Sequence, residues 1–155
     1  MKIRRNCSSR PEPFEKKWDK LSAKDNAERV LKSLEDLKER NRTVPIIVEG
    51  KKDIRALRLL SFEGEILTIH SRMSIEGFCR RISRDYKEVI LLLDWDQKGK
   101  KLTSSLIRHL NSYDVRTDFD FWKLCFSMAS QMSNVESLPS FFYRAVSGNE
   151  VSLHT

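Results

Sequence analysis

Glycine and proline are scarce in this chain, five and four among 155 residues, which excludes collagen-like and low-complexity organisation. Cysteine is scarcer: Cys7, Cys79 and Cys125 are odd in number and widely spaced. Neither a disulfide framework nor a zinc site follows, and a reducing cytoplasm is the expected setting. Long apolar runs are missing. The longest, residues 89–93, is the size of a strand, so no membrane span is expected. The opening MKIRRNCSSRPEPFEKKW has basic residues but no apolar stretch behind them, unlike a secretory signal. What is present is enough for one domain with a real core, plus a short extension. Apolar residues make up 39% and charged residues 33%, too many aliphatics and aromatics for a disordered chain. A multi-domain polymerase, helicase or topoisomerase would not fit in this length.

The net charge is +7, and it is uneven. Residues 1–43 carry 13 Lys and Arg against 8 Asp and Glu, whereas residues 44–155 carry 16 against 14. A basic surface favours polyanions, nucleic acid above all. Solubility alone is the plainer explanation of a charge this size.

Residues 1–12 read as loose. Phe14, Trp18 and Leu21 have helical spacing, and Ala27, Val30, Leu31, Leu34 and Leu37 continue a helical stripe to about Arg42. Ser22 with Asp25 resembles a capping box. Asp25–Arg29, Glu28–Lys32 and Asp36–Arg40 are acid-first pairs four residues apart. The texture then alternates. Residues 44–49, 65–70, 89–94 and 115–117 read as strands, with helices over 53–60, from Ser74, and over 98–111. A tail helix is expected around Phe119, Trp122, Phe126 and Ala129, capped by Thr117 with Asp120. Another is expected from Pro139, with the last nine residues frayed. Successive β–α units imply an α/β fold with a mostly parallel sheet, right-handed crossovers, and a working site at the carboxyl ends of the strands.

Two of these strands end in acid: IIVEG places Glu49, and LLLDWDQKG places Asp94 and Asp96, at the same edge of the sheet. Alternation along a strand would point Asp94 and Asp96 the same way. If the first and third strands are neighbours, three carboxylates converge, and a hard cation such as Mg²⁺ offsets their repulsion. Either acid could instead cap a helix or sit in a solvated loop; Trp95 reads as packing. An EF-hand is rejected, because Lys98 and Ser105 occupy its fifth and twelfth positions. A haloacid-dehalogenase-type phosphatase is a weak rival, since Lys98 replaces its usual Thr or Val and Glu49 has no role there. Neither a P-loop nor G-x-G-x-x-G is present. His70 ends the second strand on the productive edge, but a lone His is more often structural. Cys7 reads as an inert surface thiol.

The motifs VPIIVEGKKD and VILLLDWDQKGKKL, in this order and context, resemble the Toprim domain over about residues 44–118. That domain is shared by type IA and type II topoisomerases, bacterial-type primases and several nucleases. The layout looks most similar to the small stand-alone Toprim proteins of archaea, and the segment FDFWKLCFSMASQMSNVESLPSFF resembles their C-terminal part. The resemblance implies a three-layer α/β/α fold with about four strands, with N-terminal and C-terminal helices. It implies a basic extension and helix over 1–43, a Toprim-like core over 44–118, and a helical segment over 119–155 packing on that core. It further implies Glu49 as general acid or base and metal ligand, Asp94 and Asp96 as the Mg²⁺ pair (with Mn²⁺ a possible substitute), and Gly50 and Gly99 at turn positions. Topoisomerases usually carry a further acid after D-x-D; here Gln97 and Lys98 follow, as in the nuclease-like branch.

The expected function is Mg²⁺-dependent phosphodiester chemistry on RNA or DNA, that of a nuclease, with Lys51, Lys52, Lys98, Lys100 and Lys101 holding the phosphate backbone. The alternative is a non-catalytic, metal-assisted nucleic-acid-binding module, or a subunit of a larger RNA- or DNA-processing complex. A protein partner or a homo-oligomer is left open. Tyr86, Tyr113 and Tyr143 lie in no nucleophile context, which disfavours topoisomerase chemistry.

Overall fold

The computed structural model describes residues 23–69 and 72–154, with side chains from 25 to 148. The expectations about residues 1–12, Phe14, Trp18, Leu21, Ser22, Cys7 and His70 lie outside the described residues.

Helix α1 spans Ala23–Asn41. Strand β1 is Ile46–Val48, followed by α2, Lys51–Leu59. Strand β2 is Ile66–Thr68, then α3, Ile75–Asp85. Strand β3 is Glu88–Leu91, then α4, Gln97–Ser112. Strand β4 is Arg116–Asp118, then α5, Asp120–Ser127. A 3-10 helix, Val135–Ser137, leads into α6, Leu138–His154. The tail helix therefore runs on where fraying was expected.

The four strands form one parallel sheet in the order β2-β1-β3-β4. Ile46 pairs with Ile66 on one side and with Ile90 on the other. Consecutive side chains of β1 and β3 face opposite layers, and both layers are apolar. Ile46, Val48, Ile90 and Leu92 meet Val30 and Leu34 of α1, Leu57 of α2, Trp122 and Cys125 of α5 and Leu138 of α6. Ile47, Leu91 and Leu93 meet Phe78, Cys79 and Ile82 of α3 and Leu106 and Leu110 of α4. The result is the expected three-layer α/β/α arrangement.

Local chemistry explains several boundaries. Ser74 caps α3 through its side chain, which accepts from the Gly77 amide at 3.0 Å. The Thr117–Asp120 cap of α5 is not formed; Asp118 Oδ1 accepts from the Asp120 amide at 3.1 Å instead. Nor does Arg40 pair with Asp36 along its own helix: it reaches Glu88 at 2.6 Å and Asp118 at 2.8 Å, tying α1 to β3 and β4. Asn41, 1% exposed, donates to the carbonyls of Val44 and Glu65 and accepts from the Gly64 amide, each at 3.0 Å. The end of α1 is thus fastened to the entry of both β1 and β2.

Candidate functional site

Because β1 and β3 are hydrogen-bonded neighbours, their carboxyl ends open side by side. Ile47 pairs with Leu91, and continuing that register sets Glu49 beside Leu93, one residue before Asp94. The adjacency of the first and third strands, on which the expected convergence of Glu49 and the D-x-D segment depended, is therefore present.

The way the two aspartates are held differs from the strand argument. Strand β3 ends at Leu91, so Asp94 and Asp96 lie beyond the ladder and strand alternation does not orient them. Asp96 is the N-cap of α4, and its Oδ1 accepts from the Gly99 amide at 2.7 Å. Asp94 is gripped twice by the C-terminal segment. Its Oδ1 accepts from the Val135 amide at 3.1 Å, and its carbonyl accepts from the indole N–H of Trp122 at 3.3 Å. Trp95 between them is buried, as expected of packing, and donates to the Met132 carbonyl at 2.7 Å.

Glycine serves the two motifs unequally. A Cβ on Gly99 would lie 1.8 Å from the Asp94 carbonyl oxygen, so the first turn of α4 seats directly on the D-x-D backbone. Gly50 has extended backbone (φ −152°), and a Cβ there would meet nothing within 4 Å. Gly50 lies in the bend that links β1 to α2, at the turn position expected of it, and is the N-cap of α2 without needing a left-handed backbone.

The electrostatics are dominated by unneutralised acid. Burial pushes the Glu49 carboxyl above its ordinary value; Asp94, Asp96 and Asp53 push it further, and Lys98 opposes them. Burial raises Asp94 too, opposed by the Val135 amide and reinforced by Asp96 and Glu136. Asp53, 6% exposed, is raised chiefly by burial, and is held by the Gly50 amide at 3.1 Å. Asp94 and Glu136 add to its shift.

Sequence reasoning assigned no role to Asp53 or Glu136. The signal for Asp53 was present in E-G-K-K-D, where an acid at the third position of α2 reaches back to the preceding amide. Glu136 lies 87 residues after Glu49 in the sequence, and only the packing of the 3-10 helix brings its charge to Asp53 and Asp94. Of the five lysines, Lys98 acts on Glu49, and Lys100 lies over the Phe126 ring at 5.2 Å from its centroid. Lys51 and Lys52 open α2, and Lys101 follows on α4; all three are exposed. His109 is structural: its Nδ1 sits 2.8 Å from the Ser105 carbonyl one turn back.

The Toprim domain profile matches residues 44–121, spanning both acidic motifs. The chain belongs to the Toprim family. The UPF0292 protein of Thermoplasma volcanium is 39% identical over 107 residues, 69% of this chain and 89% of that protein. The UPF0292 protein of Thermococcus kodakarensis is 33% identical over 124 residues, 79% of this chain and 90% of its own. Among solved structures, a protein from Aquifex aeolicus superposes with a TM-score of 0.59 at 24% identity, covering 68% of this chain and 94% of that one, and shares the fold. Toprim membership implies a metal-dependent role related to nucleic acid, and divalent metals such as Mg²⁺ are typical of the domain. Among the described residues, no helix is long and apolar enough to cross a membrane.

The residues fit a hard cation in kind. The donors are all carboxylate oxygens, and Glu49 Oε1 is buried without a hydrogen-bond partner, an atom whose desolvation nothing offsets. They are not yet gathered as ligands: among the described residues, no group of three or more His, Cys, Asp or Glu is set to hold a metal ion. One oxygen each of Asp94 and Asp96 already accepts from a backbone amide. Each retains its second oxygen for a cation.

Proposed function

We propose that this Toprim protein is an Mg²⁺-dependent phosphodiesterase that cleaves RNA or DNA. The observation that carries the reading is Glu49 Oε1, buried and unpartnered at the end of β1, beside the D-x-D that follows β3. Lys98 alone opposes the surrounding acids at that carboxyl, and a bound cation would offset their charge.

Glu49, Asp94 and Asp96 would hold the ion, and Mn²⁺ is a possible substitute. When bound, the metal supplies charge for the phosphoryl oxygens and a lower pKa for the attacking water. The chain's own contributions are separate. Glu49, with a raised pKa, is suited to take a proton from the attacking oxygen and return it to the leaving one. Asp94 is fixed by Val135 and Trp122, so its free oxygen keeps one direction. Lys51 and Lys52 on α2, and Lys98 and Lys100 on α4, stand in the first turns of their helices. Cations there oppose the helix dipole, a local cost consistent with a site that receives an anion. With Lys101 they would hold the phosphate backbone without reading bases.

Cleavage of end-labelled RNA and DNA in Mg²⁺, Mn²⁺ or EDTA, beside Glu49→Gln, tests the proposal. Metal-dependent cleavage lost in the variant is expected. Metal binding with no cleavage of either polymer would overturn it in favour of a binding module or a subunit that needs its complex.

A further inference from the structure

Among the described residues, Phe126 is one of few large apolar side chains left open, with 40% of its surface exposed. It does not stand alone. Its ring stacks on Trp122, with centroids 5.4 Å apart and planes inclined by 21°. Trp122 is buried, and its indole N–H holds the carbonyl of Asp94. The Lys100 ammonium lies 5.2 Å from the Phe126 centroid. A continuous series thus runs from the backbone carbonyl of Asp94, through a buried indole, to an open phenyl ring with a cation above it. Both aromatics lie past residue 121, outside the span that matches the Toprim profile.

Phe126 thus leaves part of a phenyl ring open to water, and a flat apolar group laid on it would bury that surface. The buried Trp122 fixes the ring's orientation, so covering it requires little ordering. The neighbouring cation selects what covers it: a flat apolar face attached to a phosphate. Bases inside a duplex are already stacked on one another; an unpaired base is free to stack here.

We propose that Phe126 is a stacking platform for an unpaired nucleobase, with Lys100 turning from the ring to the adjoining phosphate, and that the substrate is single-stranded nucleic acid. This rests on the phosphodiesterase reading and adds the strandedness of its substrate. Phe126 is a binding residue here and touches no reacting atom.

The test is binding of fluorescent oligonucleotides, single-stranded RNA, single-stranded DNA and the matching duplexes, followed by anisotropy. Ca²⁺ replaces Mg²⁺ so that binding is read without turnover. Phe126→Ala and Phe126→Leu should each weaken single-strand binding about tenfold, and Phe126→Trp should keep it. Duplex binding should be weaker and unmoved by all three. Phe126→Leu keeps apolar bulk, and melting temperatures show whether each variant is folded. Single-strand affinity unchanged in a folded Phe126→Leu protein overturns the platform and leaves the phosphodiesterase reading standing. Wild-type preference for duplex does the same. Binding to none of the four polymers overturns both.

Discussion

The carbonyl oxygen of Asp94 and the α-carbon of Gly99 are packed so closely that a methyl group on Gly99 would approach that oxygen to 1.8 Å. The start of α4 and the D-x-D backbone are therefore one unit, and a side chain at 99 must push them apart. Gly99→Ala should destabilise the fold by about 1–3 kcal/mol, as overpacking does, and disturb Asp94. Gly50→Ala, with open space around its Cβ, should cost much less. Urea denaturation of the two variants gives the comparison; equal losses would contradict the contact.

Asn41 should be the most costly polar residue of the described fold to remove. Asn41→Ala would strand the Gly64 amide and the Val44 and Glu65 carbonyls beneath the sheet entry. A loss of about 2–4 kcal/mol is expected from several unsatisfied buried groups, read by chemical denaturation. A loss under 1 kcal/mol would mean the three bonds are replaced by water.

Two acids should respond to pH in opposite senses. Hydrogen bonding to Arg40 holds the Glu88 carboxyl below its ordinary value. Its contribution is present above the unfolded carboxylate range and fades as pH falls through the lower folded value. Glu88→Gln should thus lower stability at neutral pH, by no more than about 1 kcal/mol for a partly exposed pair, and the gap should close in acid. Glu49 is raised by burial, so its contribution is complete below the unfolded range and lost as pH rises through the folded value. In EDTA, Glu49→Gln should therefore melt higher than wild type at neutral pH and converge with it in acid. Thermal melts of both variants between acid and neutral pH check the two signs.

Metal should stabilise the wild type by mass action, by about 2.7 kcal/mol when Mg²⁺ is at 100 times its Kd. Asp94→Asn should fold, bind Mg²⁺ more weakly and lose most of that gain. Calorimetric titration of both proteins decides it; identical isotherms would remove Asp94 from the metal site.

The sheet was legible because its strands are buried on both faces and read as unbroken aliphatic runs, from Ile46 to Val48 and from Val89 to Leu93. Their adjacency was not legible, because strand order is fixed by packing of α1, α2, α5 and α6 on one face and α3 and α4 on the other. Glu49 and the D-x-D were visible as acids ending such runs. The manner in which Asp94 is held was not. Val135 and Trp122 are 41 and 28 residues away, and neither a backbone amide nor an indole in a helical tail carries a local signal. Asp96 as a cap was visible in principle, since D-x-x-G places an amide three residues on, within reach of its side chain.

The double hold on Asp94 also sets an order of events during synthesis. Strand β3 leaves the ribosome more than forty residues ahead of Val135, the amide that fixes its acid. Until that amide and the Trp122 indole arrive, one face of the sheet has only α1 and α2 packed on it and Asp94 is ungripped. A nascent chain stopped before Val135 can carry both acidic motifs and still lack the amide that directs the Asp94 carboxylate.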